Sequence, residues 1–271
     1  MKTTLSAQES KLLLKLAWDK KRLVSLAEIV RLLKVSKEHA YKIASVLSDK
    51  RWIERLKSGT YQVIPLEGGP KRVSEMNPYV MGHLLNREPY FFSYATANAH
   101  YGFSMQIYNT LFIAARKRHR PVSLKGVKIE FVLLYPARFF GFTEVEIMGE
   151  KVKMAEPEKA LLDSLDKPQY AGGIEEVFAV SNRAKGKINF NKLVEYAFRF
   201  ETTALLQRLG FLIDFQKIPI PNSLRQKLFN QARKGQPIPL ATPERFGRKG
   251  KLLPEWKIVQ NVGNAHLLTR R

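Results

Sequence analysis

Ser25-Leu-Ala-Glu-Ile-Val-Arg-Leu-Leu-Lys-Val-Ser-Lys-Glu-His-Ala-Tyr-Lys-Ile-Ala-Ser-Val-Leu47 is the stretch that decides the fold. Ser25 with Glu28 three residues on is a capping box, in which each side chain satisfies a backbone N–H of the other. It opens a short helix with Ile29, Leu32 and Leu33 on its apolar side. Lys34-Val35 makes the turn. Ser36 then caps a further helix whose inward positions are Ala40, Ile43, Ala44 and Leu47, at the spacing of a helix packed on one side. Upstream, Ser6-Ala-Gln-Glu9 is a second capping box, followed by a stripe of Leu12, Leu13, Leu16 and Ala17. Downstream, Trp52–Leu56 and Tyr61–Ile64 flank Lys57-Ser-Gly-Thr60, a hairpin signal with Gly59 supplying the turn. Three helices followed by a β-hairpin is the pattern of a winged helix-turn-helix. The expected class is α+β, an N-terminal winged helix-turn-helix followed by a larger mixed α/β C-terminal domain.

Such a module predicts a reading surface for double-stranded DNA. Its third helix lies in the major groove with its N-terminal side chains on base edges. The outward positions here are Lys37, Glu38, Tyr41, Lys42 and Ser45, with Ser36 and His39 at the N-terminal end. Lys37 and Lys42 suit phosphate or guanine, and Tyr41 and Ser45 suit phosphate or a thymine methyl. Lys57, Ser58 and Thr60 form the expected wing tip. Ser36 as a cap leaves N–H groups at the helix start, which suit a phosphate. The same module also serves protein contacts, and a polar outer face is normal on any helix.

Charge agrees with the pattern. The chain has 271 residues with Lys+Arg 46 and Asp+Glu 24, a formal net charge of +22. A field of that sign favours polyanions. The excess sits at the two ends, with 14 basic against 6 acidic residues in 1–65 and 11 against 2 in 222–271. Hydrophobic residues make up 45%, enough for a sizeable core. The domain reading is 1–65, a linker over 66–72 in the Gly/Pro-rich Pro65-Leu-Glu-Gly-Gly-Pro70, and 73–271 with a basic end. With no cysteine, no run near the ~20 apolar residues of a spanning helix, and no apolar segment behind the first lysine, the expectation is a cytoplasmic protein with no membrane association.

Residues 73–118 read as helical with interruptions. Ser93 is a candidate cap for a helix carrying Ala95, Ala97 and Ala99, and Tyr90, Phe91, Phe92 and Tyr94 read as core. Strands are expected over 125–134, 144–148 and 151–154, and helices from Pro157, over 174–181, over 191–208 ending in Arg208-Leu-Gly210, and over 224–232. The proline- and glycine-rich end reads as extended. Arg116, Lys117, Arg118 and Arg120, with Arg245, Arg248, Lys249 and Lys251, form a candidate second DNA surface.

Glu156, Glu158, Lys159 and Asp163 invite a nuclease reading, with carboxylates holding a metal beside a lysine. Their place at a helix start, behind Pro157 at its first position, favours capping and surface charge instead. His39, His83, His100, His119 and His266 lack metal-ligand spacing, and no phosphate-binding glycine loop is present. The expectation is therefore a non-enzyme with no cofactor and no metal. The alternatives are a metal-dependent nuclease or DNA-modifying enzyme targeted by a winged helix, or a general RNA-binding protein.

Tyr94-Ala-Thr-Ala-Asn-Ala-His-Tyr-Gly102, Pro157-Glu-Lys-Ala-Leu-Leu-Asp163 and Arg208-Leu-Gly-Phe-Leu212, in that order behind a winged helix, resemble the AbiEi-type antitoxins of type IV toxin–antitoxin systems and related transcriptional regulators. The resemblance covers nearly the whole chain. It implies a repressor that binds inverted repeats in its own promoter. It also implies counteraction of a nucleotidyltransferase-like toxin, generally without a stable complex, by an α/β C-terminal domain. The third helix, 36–50, would be the reader. The helix after Pro157 and the Arg208–Gly210 segment would be structural or antitoxin-related. The strongly basic end departs from that pattern.

Overall fold

The computed structural model describes residues 4–64, 77–86, 88–124 and 126–268. The expected linker at 66–72 lies outside them. The chain is α+β and divides into two compact units, 1–77 and 78–271.

In the first unit, α1 (Ala7–Trp18), α2 (Leu26–Leu33) and α3 (Lys37–Asp49) pack with a three-stranded antiparallel sheet of β1 (Leu23–Ser25), β2 (Ile53–Lys57) and β3 (Thr60–Val63), in the order β1-β3-β2. Both capping boxes form. The core is Leu12, Leu13, Leu16, Ile29, Ala40, Ile43, Ala44 and Leu47 with Val24, Leu26, Ile53 and Tyr61. Ala17, expected on the α1 stripe, is exposed. Strand β1 was not anticipated. Three residues leave no period to read, and Val24 is buried in the core beside β3.

The second unit carries a six-stranded mixed sheet of β4 (Tyr90–Phe92), β5 (Thr110–Ala115), β6 (Val122–Leu124), β7 (Val127–Leu133), β8 (Phe142–Ile147) and β9 (Glu150–Ala155), in the order β6-β7-β5-β4-β9-β8. Helices α4 (Pro78–Leu85) and α5 (Tyr94–His100) border it. The helical layer is α6 (Pro157–Asp166), α7 (Ile174–Arg183), α8 (Phe190–Phe198), α9 (Thr203–Phe215) and α10 (Asn222–Ala232). The end of the chain forms β10 (Ile238–Pro239), α11 (Pro243–Phe246), β11 (Lys251–Leu253), β12 (Ile258–Gln260) and α12 (Asn264–Leu268), with a small sheet ordered β10-β12-β11.

Four expectations need correction. The stretch 73–118 is not chiefly helical, for β4 and β5 run through it. Both are buried, so they show continuous apolar residues rather than alternation. The stretch 191–208 is two helices, separated where Glu201 takes φ +53, and Arg208-Leu-Gly210 lies inside α9. The basic end is not simply extended, since α11 and α12 punctuate it. Ser93 stands at the start of α5 without capping it. Its hydroxyl donates instead to Asp163 Oδ2, 2.6 Å away.

Candidate nucleic-acid interface

The exposed face of α3 is set by its local chemistry. The Ser36 hydroxyl accepts the His39 N–H at 3.2 Å and starts the helix. Ahead of it Lys34 sits in the left-handed region (φ +54, ψ +46), which closes α2 and turns the chain within three residues. With Ala40, Ile43, Ala44 and Leu47 buried, Ser36, Lys37, Glu38, His39, Tyr41, Lys42 and Ser45 are all exposed. The structure thus brings every α3 residue singled out from the sequence onto one side of one helix.

Two ion pairs hold α3 and the helix before it in place. Lys50, its C-terminal cap, donates to Glu9 Oε2 at 2.6 Å and to the Thr4 carbonyl at 2.7 Å, which ties the end of α3 to the start of α1. Lys21 donates to Glu28 Oε1 at 2.6 Å and braces the start of α2. Burial pushes the Glu28 carboxyl up. The Lys21 ammonium and the Ser25 N–H and hydroxyl outweigh this and hold it at about 2. No pattern in the sequence marks Lys50, because its partner lies 41 residues away.

The hairpin is tied back rather than projecting freely. Ser58 and Gly59 form its tip, Gly59 at φ +69, and the Gly59 carbonyl accepts the Leu26 N–H at 2.8 Å. Ser58 is exposed, Thr60 is half-buried and in register with Ser25, and the Lys57 backbone is in register with Thr60. Arg51 and Arg55 add exposed charge that sequence reading did not single out. A register shift between Arg55 and Lys57 breaks the alternation that would have shown which way Arg55 faces.

The second basic surface falls into two groups. Arg116, Lys117, Arg118 and Arg120 are exposed on the loop after β5, where Lys117 pairs with Glu88 at 2.9 Å. Arg245, Arg248, Lys249 and Lys251 are exposed near the end of the chain, and Arg245 bonds Glu175 Oε1 at 3.2 Å. Arg245 lies against Gly173. The adjacent Gly172 meets Gln106 and Tyr108, on the segment that enters β5. Arg245 thus lies near the segment that enters β5, whereas the first group follows that strand.

Of the residues of the nuclease reading, Glu158, Lys159 and Asp163 are buried rather than surface charges, and Glu156 is half-buried. Lys159 and Asp163 are 0% and 1% exposed and form a buried ion pair. Phe91, Phe140 and Phe200 surround the ammonium, with their ring centroids 5.3, 5.4 and 4.8 Å away. Burial drives the Lys159 pKa down and the Asp163 pKa up, against the attraction between them. Glu158 accepts the Asn189 N–H, Glu156 accepts the Tyr196 hydroxyl, and Lys192 bridges both carboxylates at 3.1 and 3.3 Å. Among the described residues no three His, Asp or Glu side chains converge as a metal site, and no helix is long and apolar enough to cross a membrane.

No family model and no curated protein matches the chain. Among solved structures it is similar to the RV2827C protein of Mycobacterium tuberculosis, with a TM-score of 0.66 at 15% identity over 94% of this chain and 92% of that one. At that identity the likeness is one of fold.

Proposed function

We propose that the chain is a sequence-specific double-stranded DNA-binding repressor whose first unit is a winged helix-turn-helix, and that it serves as the antitoxin of a type IV toxin–antitoxin pair. The observation that carries the DNA reading is the side of α3 on which Lys37, His39, Tyr41, Lys42 and Ser45 are exposed together, in a chain of net charge +22. Lys37 and Lys42 meet phosphate or guanine, Tyr41 and Ser45 meet phosphate or thymine methyl, and Lys57, Ser58 and Thr60 approach the neighbouring backbone. The two basic groups of the second unit add phosphate contacts. The protein acts in the cytoplasm, without cofactor or catalysis.

The antitoxin part rests on the AbiEi-like segments. Expression beside a neighbouring nucleotidyltransferase-like gene should restore growth that the gene alone arrests.

Fluorescence anisotropy on short duplexes cut from its own upstream DNA, titrated with salt beside scrambled competitors, tests the DNA part. Specific affinity should exceed non-specific affinity by roughly 10³ or more. Lys42→Ala should weaken binding and lower the salt slope by about 1. Equal binding to every duplex would overturn the repressor reading.

A further inference from the structure

We propose that Glu38 sets the base preference of α3 by accepting a hydrogen bond from the exocyclic amino group of a cytosine in the major groove. The inference rests on α3 being the DNA-reading helix, and it adds a residue and a base to that reading.

The buried positions Ala40, Ile43, Ala44 and Leu47 define the inward line of α3. At 3.6 residues per turn, the opposite line runs through Glu38, Ser45 and Asp49, with Lys42 beside it. Two of these are acids on the side that would face a polyanion. Asp49 is about 16 Å further along the axis, beyond the first turns that reach base edges. Glu38 lies within the first turn.

Its own N–H and the Ser36 hydroxyl lower the Glu38 pKa, so the group is ionised and can only accept. An exposed carboxylate facing phosphates opposes binding unless a donor meets it. The major-groove edge of cytosine offers the N4 amino donor. Guanine presents acceptors, and adenine sets its N7 acceptor beside the amino group. The helix carries no Asn or Gln, the side chains that read adenine bidentately, and its guanine-reading candidates are Lys37 and Lys42, which leaves Glu38 as the acceptor for a cytosine amino group. A carboxylate in this position disfavours every sequence that lacks the donor. In a chain of charge +22 that supplies a penalty against wrong sequences, which attraction between lysine and phosphate does not.

The test uses the full-length protein, Glu38→Gln, Glu38→Ala and, as the distal-acid control, Asp49→Asn. Melting curves check that each variant folds. Each is titrated against the best-binding upstream duplex, a scrambled duplex, and duplexes with one base pair changed at a time. Wild type should lose about 5- to 150-fold when one particular C·G pair is changed. Both Glu38 variants should bind the scrambled duplex several-fold more tightly and be indifferent to that one pair, while Asp49→Asn keeps the preference. Tighter binding to all duplexes with every single-pair preference intact would make Glu38 a mere repulsive charge and overturn the proposal. Unchanged binding in both Glu38 variants would also overturn it. Wild type that prefers no duplex to the scrambled one would instead overturn the DNA-reading role of α3 itself.

Discussion

Single residues show most clearly how little room some positions have. Lys159 and Asp163 lie at i and i+4 on α6, a spacing that on a surface helix adds only a few tenths of a kcal/mol. Here both are buried, and the Ser93 hydroxyl and three aromatic rings complete their surroundings. Lys159→Met leaves Asp163 buried without its cation and should destabilise the protein by about 3–5 kcal/mol in thermal or urea melts. Adding Asp163→Leu to it should recover much of that loss. A single variant that melts like wild type would mean that the pair is not isolated from water. At Glu28 the sign runs with acid. Its carboxyl sits at about 2 in the folded protein against an ordinary 4.5, so its stabilisation is complete above about 4.5 and is lost as the pH falls towards 2. The stability gap between wild type and Glu28→Gln should be largest near neutral pH and close between pH 4.5 and 2. A gap constant over that range would place the stabilisation outside the Lys21 pair.

Elements explain the segments that looked most distinctive in the sequence. In Pro157–Asp163, Pro157 starts α6, Glu158 receives the Asn189 N–H, and the remaining side chains are buried. In Arg208–Leu212, Arg208 donates to the carbonyls of Leu165 and Asp166 at the C-terminal end of α6, at 3.4 and 3.2 Å, where helix carbonyls lack partners. Gly210 looks like a helix stop because glycine so often ends helices. It instead lies within α9 because the Trp256 ring occupies the space of a side chain there. Trp256 in turn donates to Asp214 Oδ2 at 2.6 Å. Gly210→Ala should therefore cost about 1–3 kcal/mol in a thermal melt, although alanine is the better helix former. A gain in stability would mean that Trp256 moves aside freely. Patterning was sufficient for α1, α2 and α3, because each packs one face and so shows its period, and the turn at Gly59 marked the hairpin. It was insufficient for β4 and β5, which are buried on both faces and show none.

For the whole molecule, composition, charge distribution and helix-start chemistry follow from the sequence alone. So do the α+β class, the caps at Ser6, Ser25 and Ser36, and the residues that α3 turns outward, because all of these depend on neighbours within a few positions. The sheet order β6-β7-β5-β4-β9-β8, the Lys50–Glu9 tie, the burial of Lys159 and Asp163, and the Arg245–Glu175 pair were decided only by tertiary structure. Each depends on contacts between residues far apart in the chain. A local pattern records whether a side chain suits water or a core, but not which distant element will cover it.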